Sequence, residues 1–239
     1  MDINKSCKLF LNQLYSYDIS QCHYSILKSL GFNLENINEE NKLERNTQIG
    51  LLMRDNPRIT SVLRDVTNST ISEYLVRNEI SPEDLIIRQY DGIIIKRLLN
   101  ITDYHLSLEL KNVFEVFIIS MDRNKYIAKD RNEYFVKGIS HKYAEMDNIY
   151  KKILNINYLD KVSSFKSLQK IKDEILSSED PLLFCIPTGD KYNVFLKRYG
   201  EIEISLSTAN ILSPDDIDKR KYFDYYIKPF TESLILEFI

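Results

Sequence analysis

Two aspartates stand where short apolar segments end, a position from which carboxylates can hold metal ions. Asp18 follows the segment that begins at Leu14, and Asp91 lies at the tip of the hairpin LIIRQYDGIIIKR, between two runs of branched apolar residues. Two divalent cations about 4 Å apart, bridged by such oxygen ligands, stabilise the attacking and leaving oxygens of a phosphoryl transfer. The pair therefore indicates phosphoryl-transfer chemistry if the two segments are neighbouring strands of an antiparallel sheet.

Both acids also have a purely local interpretation. An Asp-Gly pair, here Asp91 and Gly92, is a common hairpin turn signal, because glycine adopts positive φ and aspartate bonds its own backbone. Asp18 stands just before a helical pattern and is placed to act as an N-cap. The surrounding elements must decide between the two interpretations.

The elements next to Asp18 are a strand and a helix. A strand is predicted over Leu14 to Ile19, and a helix follows because Cys22, Ile26 and Leu30 recur at helical spacing before Gly31. The sequence thus predicts an acid between a strand and a helix.

Two helices are predicted before the Asp91 hairpin. The first spans Asn36 to Met53, and Asn56-Pro57 offers an N-cap and a first-turn proline for the second, which reaches about Arg77.

The elements predicted after the Asp91 hairpin are a strand over Val113 to Met121, a hairpin turning at Asp130 to Asn132, helices over Tyr143 to Leu154 and Phe165 to Leu176, an antiparallel patch from LLFCIP and YNVFLKRYGEIEIS, and a helix capped by Asp218 and interrupted by Pro229. The predicted class is mixed α+β.

Composition excludes several classes of protein. The chain has 239 residues, 44% of them hydrophobic, and a net charge of −3, which is typical of a folded, soluble protein. Cys7, Cys22 and Cys185 lie too far apart for a zinc knuckle or a disulfide framework, so a reducing, cytoplasmic setting is expected. The sequence has neither a leader pattern nor a run of 18 apolar residues, so neither export nor a membrane association is expected.

The residues around Asp18 resemble the first motif of family B DNA polymerases, an acid, two variable residues and Ser-Leu-Tyr-Pro-Ser-Ile. DISQCHYSI keeps Asp18, Ser25 and Ile26 in register, while Gln21 to Tyr24 replace Ser-Leu-Tyr-Pro. His23 stands where the family has the tyrosine that senses the nucleotide sugar. The resemblance implies that Asp18 is a catalytic metal ligand.

Two further segments resemble the next motifs of that family, in the same order. RDVTNSTIS is similar to the motif Lys, three residues, Asn-Ser, one residue, Tyr-Gly, with Arg64 at the cation and Asn68 and Ser69 retained. QYDGIII is similar to the Asp-Thr-Asp hairpin, with Gln89 at the first acid and Asp91 at the second, metal-binding one. In RDVTNSTIS, Ile71 and Ser72 replace the Tyr-Gly pair of the family motif.

Later segments resemble the parts of the family that hold DNA. RNKY is similar to the basic Lys-Lys-Tyr motif that grips the primer strand, which implicates Arg123, Lys125 and Tyr126. VKGISHK is similar to the entry of the thumb, which implicates Lys137 and Lys142, and YFDYYIKPF resembles the thumb's closing pattern. From residue 122 to 152 the chain carries eight Lys or Arg against five Asp or Glu, an excess that favours contacts with phosphates.

The resemblance implies an antiparallel palm-type sheet with a short helical fingers insertion and a mixed α/β thumb. It assigns residues 1–35 and 80–138 to the palm, 36–79 to the fingers and 139–239 to the thumb. Because only 17 residues precede Asp18, a polymerase core without its own proofreading exonuclease is expected. Such a core would be a small viral or mobile-element enzyme, or one chain of a split polymerase completed by other subunits in a bacterium or a virus-infected cell.

The resemblance also implies roles for the residues. Asp18 and Asp91 bind two Mg²⁺ ions, or Mn²⁺, and the substrates are deoxynucleoside triphosphates and primer-template DNA. The nucleotide-binding residues are then Arg64, Asn68, Ser69 and His23. Arg45 and Arg54, on the preceding helix, supply further phosphate contacts. Two other functions remain open from the sequence: a non-catalytic subunit that binds primer-template DNA through a degenerate palm, and an interaction domain with no affinity for DNA.

Overall fold

A computed structural model describes residues 2–3, 9–120, 125–138, 144–188 and 190–231, so two predicted DNA-binding residues, Arg123 and Lys142, lie outside the described residues. The chain divides into two compact units. The first unit is Met1–Ser6 with Asn12–Phe114, and the second is Cys7–Leu11 with Glu115–Ile239. Residues 115–138, which the resemblance assigns to the palm, belong to the second unit.

The first unit contains a five-stranded antiparallel sheet. Its strands are β1 (Asp2–Ile3), β3 (Leu14–Ile19), β4 (Leu85–Arg88), β5 (Gly92–Ile95) and β6 (Leu108–Phe114), whereas β2 (Leu9–Phe10) belongs to the second unit. The order across the sheet is β1-β4-β5-β3-β6. The predicted strand over Leu14 to Ile19 is confirmed, and it is flanked by β5 on one side and β6 on the other.

Three helices complete the first unit: α1 (Cys22–Ser29), α2 (Lys42–Asp55) and α3 (Pro57–Arg77). The side chain of Asn41 caps α2, and the side chain of Asn56 accepts a hydrogen bond from the Arg58 backbone N–H at the start of α3. Asn56 and Pro57 therefore begin α3 as predicted, because an N-cap satisfies a free backbone donor and proline suits the first turn.

The core of the first unit joins the sheet to its helices. Tyr17 and Ile93 from the sheet, and Leu63 and Ile71 from α3, belong to one cluster of buried residues. Leu63 and Ile71 are fully buried, and burying such a side chain contributes about 1.5–3 kcal/mol. This packing fixes α3 against the strands that carry the two acids.

In its described residues, the second unit contains two antiparallel sheets, four α-helices and a 3₁₀ helix. Besides β2, its strands are β7 (Val116–Ile119), β8 (Tyr126–Asp130), β9 (Glu133–Lys137), β10 (Ile186–Thr188), β11 (Lys191–Leu196) and β12 (Gly200–Ile204). Its helices are α4 (Ala144–Leu154), α5 (Lys161–Ser177), the 3₁₀ helix (Pro181–Phe184), α6 (Leu206–Ala209) and α7 (Lys219–Tyr226). One sheet has the order β2-β7-β8-β9 and the other β10-β11-β12. The mixed α+β class with antiparallel sheets is confirmed.

One predicted strand is wrong. The apolar run from Val113 to Met121 holds the end of β6 and the whole of β7, which belong to different sheets. The chain changes sheet at Glu115, whose backbone N–H donates to the Lys129 carbonyl. Hydrophobic periodicity does not mark such a change, because both strands are apolar at this point.

The start of α5 also differs from the prediction. The helix begins at Lys161, four residues before Phe165, because the Asp160 side chain caps it by accepting from the Ser163 N–H.

Among the described residues, no helix combines the length and the apolar character needed to cross a bilayer.

Asn78 fastens the end of α3 to the loop that precedes β6. Its buried side-chain amide donates to the carbonyls of Tyr74 and Ile101, and its Oδ1 accepts from the backbone N–H groups of Asn100 and Ile101. One side chain thus makes three hydrogen bonds to the loop and one to its own helix.

Replacing Asn78 with alanine removes all four bonds, three of them to partly buried backbone groups of the loop. We expect the free energy of unfolding, measured by urea denaturation, to fall by about 2–4 kcal/mol. Asn33→Ala is the control, since Asn33 is exposed, and we expect a change within about 0.5 kcal/mol. Equal stabilities of the two variants would contradict this account of the helix end.

Candidate active site

The sheet of the first unit brings the two predicted acids to neighbouring strands. The Cα of Asp18 pairs with that of Gly92, the residue directly after Asp91. The backbone N–H of Ile19 donates to the Asp91 carbonyl over 2.7 Å. Paired residues of antiparallel strands have Cα atoms about 4.5–5.5 Å apart, so Asp18 and Asp91 are adjacent across the β3–β5 pair although 72 residues separate them along the chain.

The β4–β5 hairpin has a turn of two residues. The Gln89 N–H donates to the Gly92 carbonyl over 2.8 Å, which leaves Tyr90 and Asp91 at the tip. The expectation that Gly92 provides positive φ is wrong, because Gly31, Gly138 and Gly200 are the described glycines with that conformation.

Gly92 is required instead by the close approach of Asp18. A Cβ atom on Gly92 would lie 2.1 Å from Oδ1 of Asp18 and 2.5 Å from the Tyr17 carbonyl oxygen. The carboxylate of Asp18 therefore covers the bare Cα of the residue that follows Asp91. Any larger residue at position 92 would displace it.

Both carboxylates act on Cys22, the first residue of α1. Burial raises the pKa of the Cys22 thiol to about 11; a hydrogen bond with Thr67 opposes the shift, and the negative charges of Asp91 and Asp18 add to it. The thiol is therefore protonated at neutral pH and is no nucleophile. Both charges thus act on one thiol at the start of α1.

Glu109 is a third acid near this site that the sequence did not reveal. It pairs with Asp18 across the β3–β6 ladder, on the side away from Gly92. Hydrogen bonds from Lys111 and Ser20 lower the pKa of the Glu109 carboxyl, so it is charged at neutral pH. The alternating pattern of LELKNVF was the available signal, but the predicted strand began only at Val113.

The residue types at the site fit one mode of divalent-cation binding. Among the described residues, no cluster of three or more His, Cys, Asp or Glu side chains forms a metal cage. Mg²⁺ is usually bound by one or two carboxylates together with the phosphates of a substrate. Asp18 and Asp91, two hard oxygen donors on neighbouring strands, fit this mode of binding.

The middle of α3 carries the predicted nucleotide-binding residues. Arg64, Asn68 and Ser69 are all exposed, and Arg64 and Asn68 share a face because they are four residues apart. The Arg88 guanidinium of β4 donates to the Asn68 carbonyl and to the Ser72 hydroxyl, each over 3.0 Å. Arg88 therefore ties this part of α3 to the hairpin that carries Asp91.

Arg45 has a structural role in the free protein. It is buried, and its guanidinium donates to the carbonyl of Glu39 in the loop before α2. Because the guanidinium is already engaged there, we leave Arg45 out of the proposed nucleotide site.

His23 lies beside the hairpin tip. Its ring meets the ring of Tyr90 edge to face, with 5.5 Å between centroids. Burial lowers the pKa of His23, an effect that the charge of Asp91 opposes. The imidazole is therefore predominantly neutral at neutral pH.

The predicted DNA-binding residues of the second unit differ in accessibility. Lys137 is exposed at the end of β9, and the Lys125 ammonium lies 4.9 Å from the ring centre of Tyr225. Tyr126 is buried and stacks on Phe117 with 4.7 Å between ring centres. Tyr126 thus contributes to the core, and only the two lysines are accessible candidates among the described residues.

Comparisons with known proteins give a partial structural match. No protein-family model matches the chain, and no curated protein matches it. Among solved structures, the family B DNA polymerase of the hyperthermophilic archaeon Pyrobaculum calidifontis is similar, with a TM-score of 0.48 and 9% identity over 97% of this chain. The likeness covers 46% of that polymerase, so this chain spans less than half of its length.

Gly92→Ala tests the contact between the Asp18 carboxylate and β5. The added methyl group must displace the carboxylate and the Tyr17 carbonyl, so we expect urea denaturation to show a loss of about 1–3 kcal/mol.

Gly50→Ala is the matched control, since a Cβ at Gly50 meets nothing within 4 Å. There the added methyl group favours the helix, and we expect a gain of about 0.5–1 kcal/mol. A Gly92→Ala protein as stable as the unmodified protein would refute the close approach.

Proposed function

We propose that the chain is the catalytic core of a template-directed DNA polymerase. The observation that carries this proposal is the adjacency of Asp18 and Asp91 across the β3–β5 pair. The order of the polymerase-like motifs along the sequence supports it. Neither local interpretation of the acids accounts for the close approach of Asp18 to Gly92.

In this proposal Asp18 and Asp91 hold Mg²⁺ together with the triphosphate of the incoming nucleotide. The bound ions neutralise charge at the reacting phosphate and lower the pKa of the primer 3′ hydroxyl. The two carboxylates orient this assembly, since both are fixed by the β3–β5 ladder.

Arg64 binds the triphosphate from the opposite side. Its guanidinium is exposed on α3, and its planar set of donors matches phosphate oxygens. Asn68, one turn further along α3, and Ser69 lie beneath the new base pair. Arg88 keeps these residues in place relative to Asp91 through its bonds to α3.

Replacing either acid by its amide should abolish primer extension while leaving the fold intact. Because bound cations supply several kcal/mol, we expect Asp18→Asn and Asp91→Asn each to lower kcat/KM by about 10³-fold or more. The assay is primer extension in Mg²⁺ and in Mn²⁺. Asp55→Asn is the control, since that carboxylate is exposed and bonds only to the neighbouring Arg54 in the described structure.

Two results would contradict the proposal. If the unmodified protein binds primer-template DNA without extending the primer, the non-catalytic binding function replaces catalysis. If Asp91→Asn extends primers as fast as the unmodified protein, Asp91 is no metal ligand.

We also propose that Lys125 and Lys137 bind DNA phosphates, together with Arg123 and Lys142 on the basis of the resemblance. Removing one cation that neutralises a phosphate should reduce the log-log slope of affinity against salt by about 0.9. We therefore expect Lys137→Ala to flatten that slope by about one unit in fluorescence-anisotropy titrations with primer-template DNA.

Lys191→Ala is the control, because the Lys191 ammonium is paired with Glu203 at 2.7 Å. We expect its salt dependence to match that of the unmodified protein. A salt slope unchanged by Lys137→Ala would remove Lys137 from the DNA contacts.

A further inference from the structure

A groove between α5 and α7 of the second unit takes no part in the proposed reaction. It has a volume of about 410 Å³. Because a helix brings residues three, four and seven positions apart onto one face, its α5 wall is a single helix face, formed by Phe165, Leu168, Gln169, Lys172 and Leu176. At 1.5 Å per residue this wall is about 16 Å long. The groove is therefore long enough for three turns of a further helix.

The floor of the groove is apolar. Leu168 of α5 and Phe223 of α7 lie there, and both belong to the buried core of the second unit. At one end of the groove Phe165 is 50% exposed, and Val162 and Leu159 precede it at three-residue intervals with still larger exposed fractions. The apolar surface thus extends from the groove towards the start of α5, and exposed apolar surface of this kind marks interaction sites.

The rim of the groove is basic. Lys172 of α5 and Arg220 of α7 are both exposed, and the Lys172 ammonium lies 5.7 Å from the ring centre of Phe223. The third cation, Lys228, lies 3.5 Å from the carboxylate of Asp224, which is the one acid among the described lining residues. Positive charge therefore exceeds negative charge at the groove, although the chain as a whole has a net charge of −3.

An apolar floor under a basic rim distinguishes between two classes of partner. Cations and hydrogen-bond donors bind the phosphates of DNA, and such contacts use no apolar floor. A helix with an apolar face flanked by carboxylates uses both parts of the groove, since its apolar face fills the floor and its carboxylates lie beside the cations.

We propose that the α5–α7 groove binds an amphipathic helix of a partner protein, with its apolar side chains against Leu168 and Phe223 and its carboxylates beside Lys172 and Arg220. The exposed ring of Phe165 packs on the partner at the end of the groove, as aromatic anchors do at protein interfaces. This inference goes beyond the proposed function and does not depend on it, because Asp18 and Asp91 belong to the other unit.

The test uses a fluorescent peptide of about 18 residues, a length at which alanine-rich sequences form helices in isolation. It has leucines along one face, glutamates on both sides of that face and alanines elsewhere. We expect it to bind the full chain in fluorescence-anisotropy titrations at physiological salt. The same peptide with lysines in place of the glutamates should bind about tenfold more weakly or less, because like charges then meet at the rim.

Reversing the charge of the rim should reverse this preference. In the double variant Lys172→Glu, Arg220→Glu we expect the glutamate peptide to bind about tenfold more weakly and the lysine peptide to bind more tightly than to the unmodified protein. Tighter binding of the lysine peptide also shows that the variant is folded. Phe165→Ala should weaken binding of the glutamate peptide by about fivefold.

The double variant Lys170→Glu, Arg198→Glu is the matched control. It makes the same change in net charge at two exposed residues that lie outside the groove lining. We expect its affinity for the glutamate peptide to stay within about twofold of that of the unmodified protein, since exposed charges beyond about 10 Å are largely screened.

Three results would overturn the proposal. The first is a glutamate peptide that does not bind, or that binds the Lys172→Glu, Arg220→Glu variant as tightly as the unmodified protein. The second is a short DNA duplex that binds in place of the peptide and is lost in that variant but not in the control, which makes the groove a phosphate-binding surface. The third is self-association, in sedimentation, that the same variant abolishes, which makes a second copy of this chain the occupant.

This hypothesis and the proposed function fail separately. A protein that binds the glutamate peptide with the expected charge reversal but does not extend primers removes the polymerase function and leaves the groove as a docking site.

Discussion

The close approach of the Asp18 carboxylate to the Cα of Gly92 constrains the residues at the end of β3 and the start of β5. It requires a residue without a side chain at the start of β5, and it fixes Asp18 beside the hairpin tip that carries Asp91. Two negative charges on adjacent strands repel each other, which opposes folding unless a cation or a solvated position offsets the repulsion. The exclusion of a side chain at position 92 is the constraint that the Asp18 carboxylate places on β5.

The remaining contacts of the first unit hold α3 at a set position relative to these acids. Asn78 fixes the end of the helix, and Arg88 bonds to its middle. Arg64, an exposed cation, is carried on the same helix as these contacts. The helix that would bind the phosphates and the hairpin that would bind the metal are thus linked by the two hydrogen bonds of Arg88.

Local signals predicted several elements, although α2 begins at Lys42, after its Asn41 cap, rather than at the predicted Asn36. The strand over Leu14 to Ile19 and the start of α3 at Asn56-Pro57 depend on alternation and capping within a few residues, and both were predicted correctly. The function of Gly92 and the proximity of Glu109 to Asp18 were not, because each depends on which strands pair and in what register. Likewise, the burial of Arg45 depends on the loop that packs against it, which no motif describes.

The most direct test of the shared metal site is anomalous diffraction from crystals of the protein with primer-template DNA, a dideoxy-terminated primer, a deoxynucleoside triphosphate and Mn²⁺. The account predicts anomalous peaks within bonding distance, about 2.0–2.3 Å, of carboxylate oxygens of both Asp18 and Asp91 and of the triphosphate. A bound triphosphate whose Mn²⁺ contacts neither aspartate would contradict it.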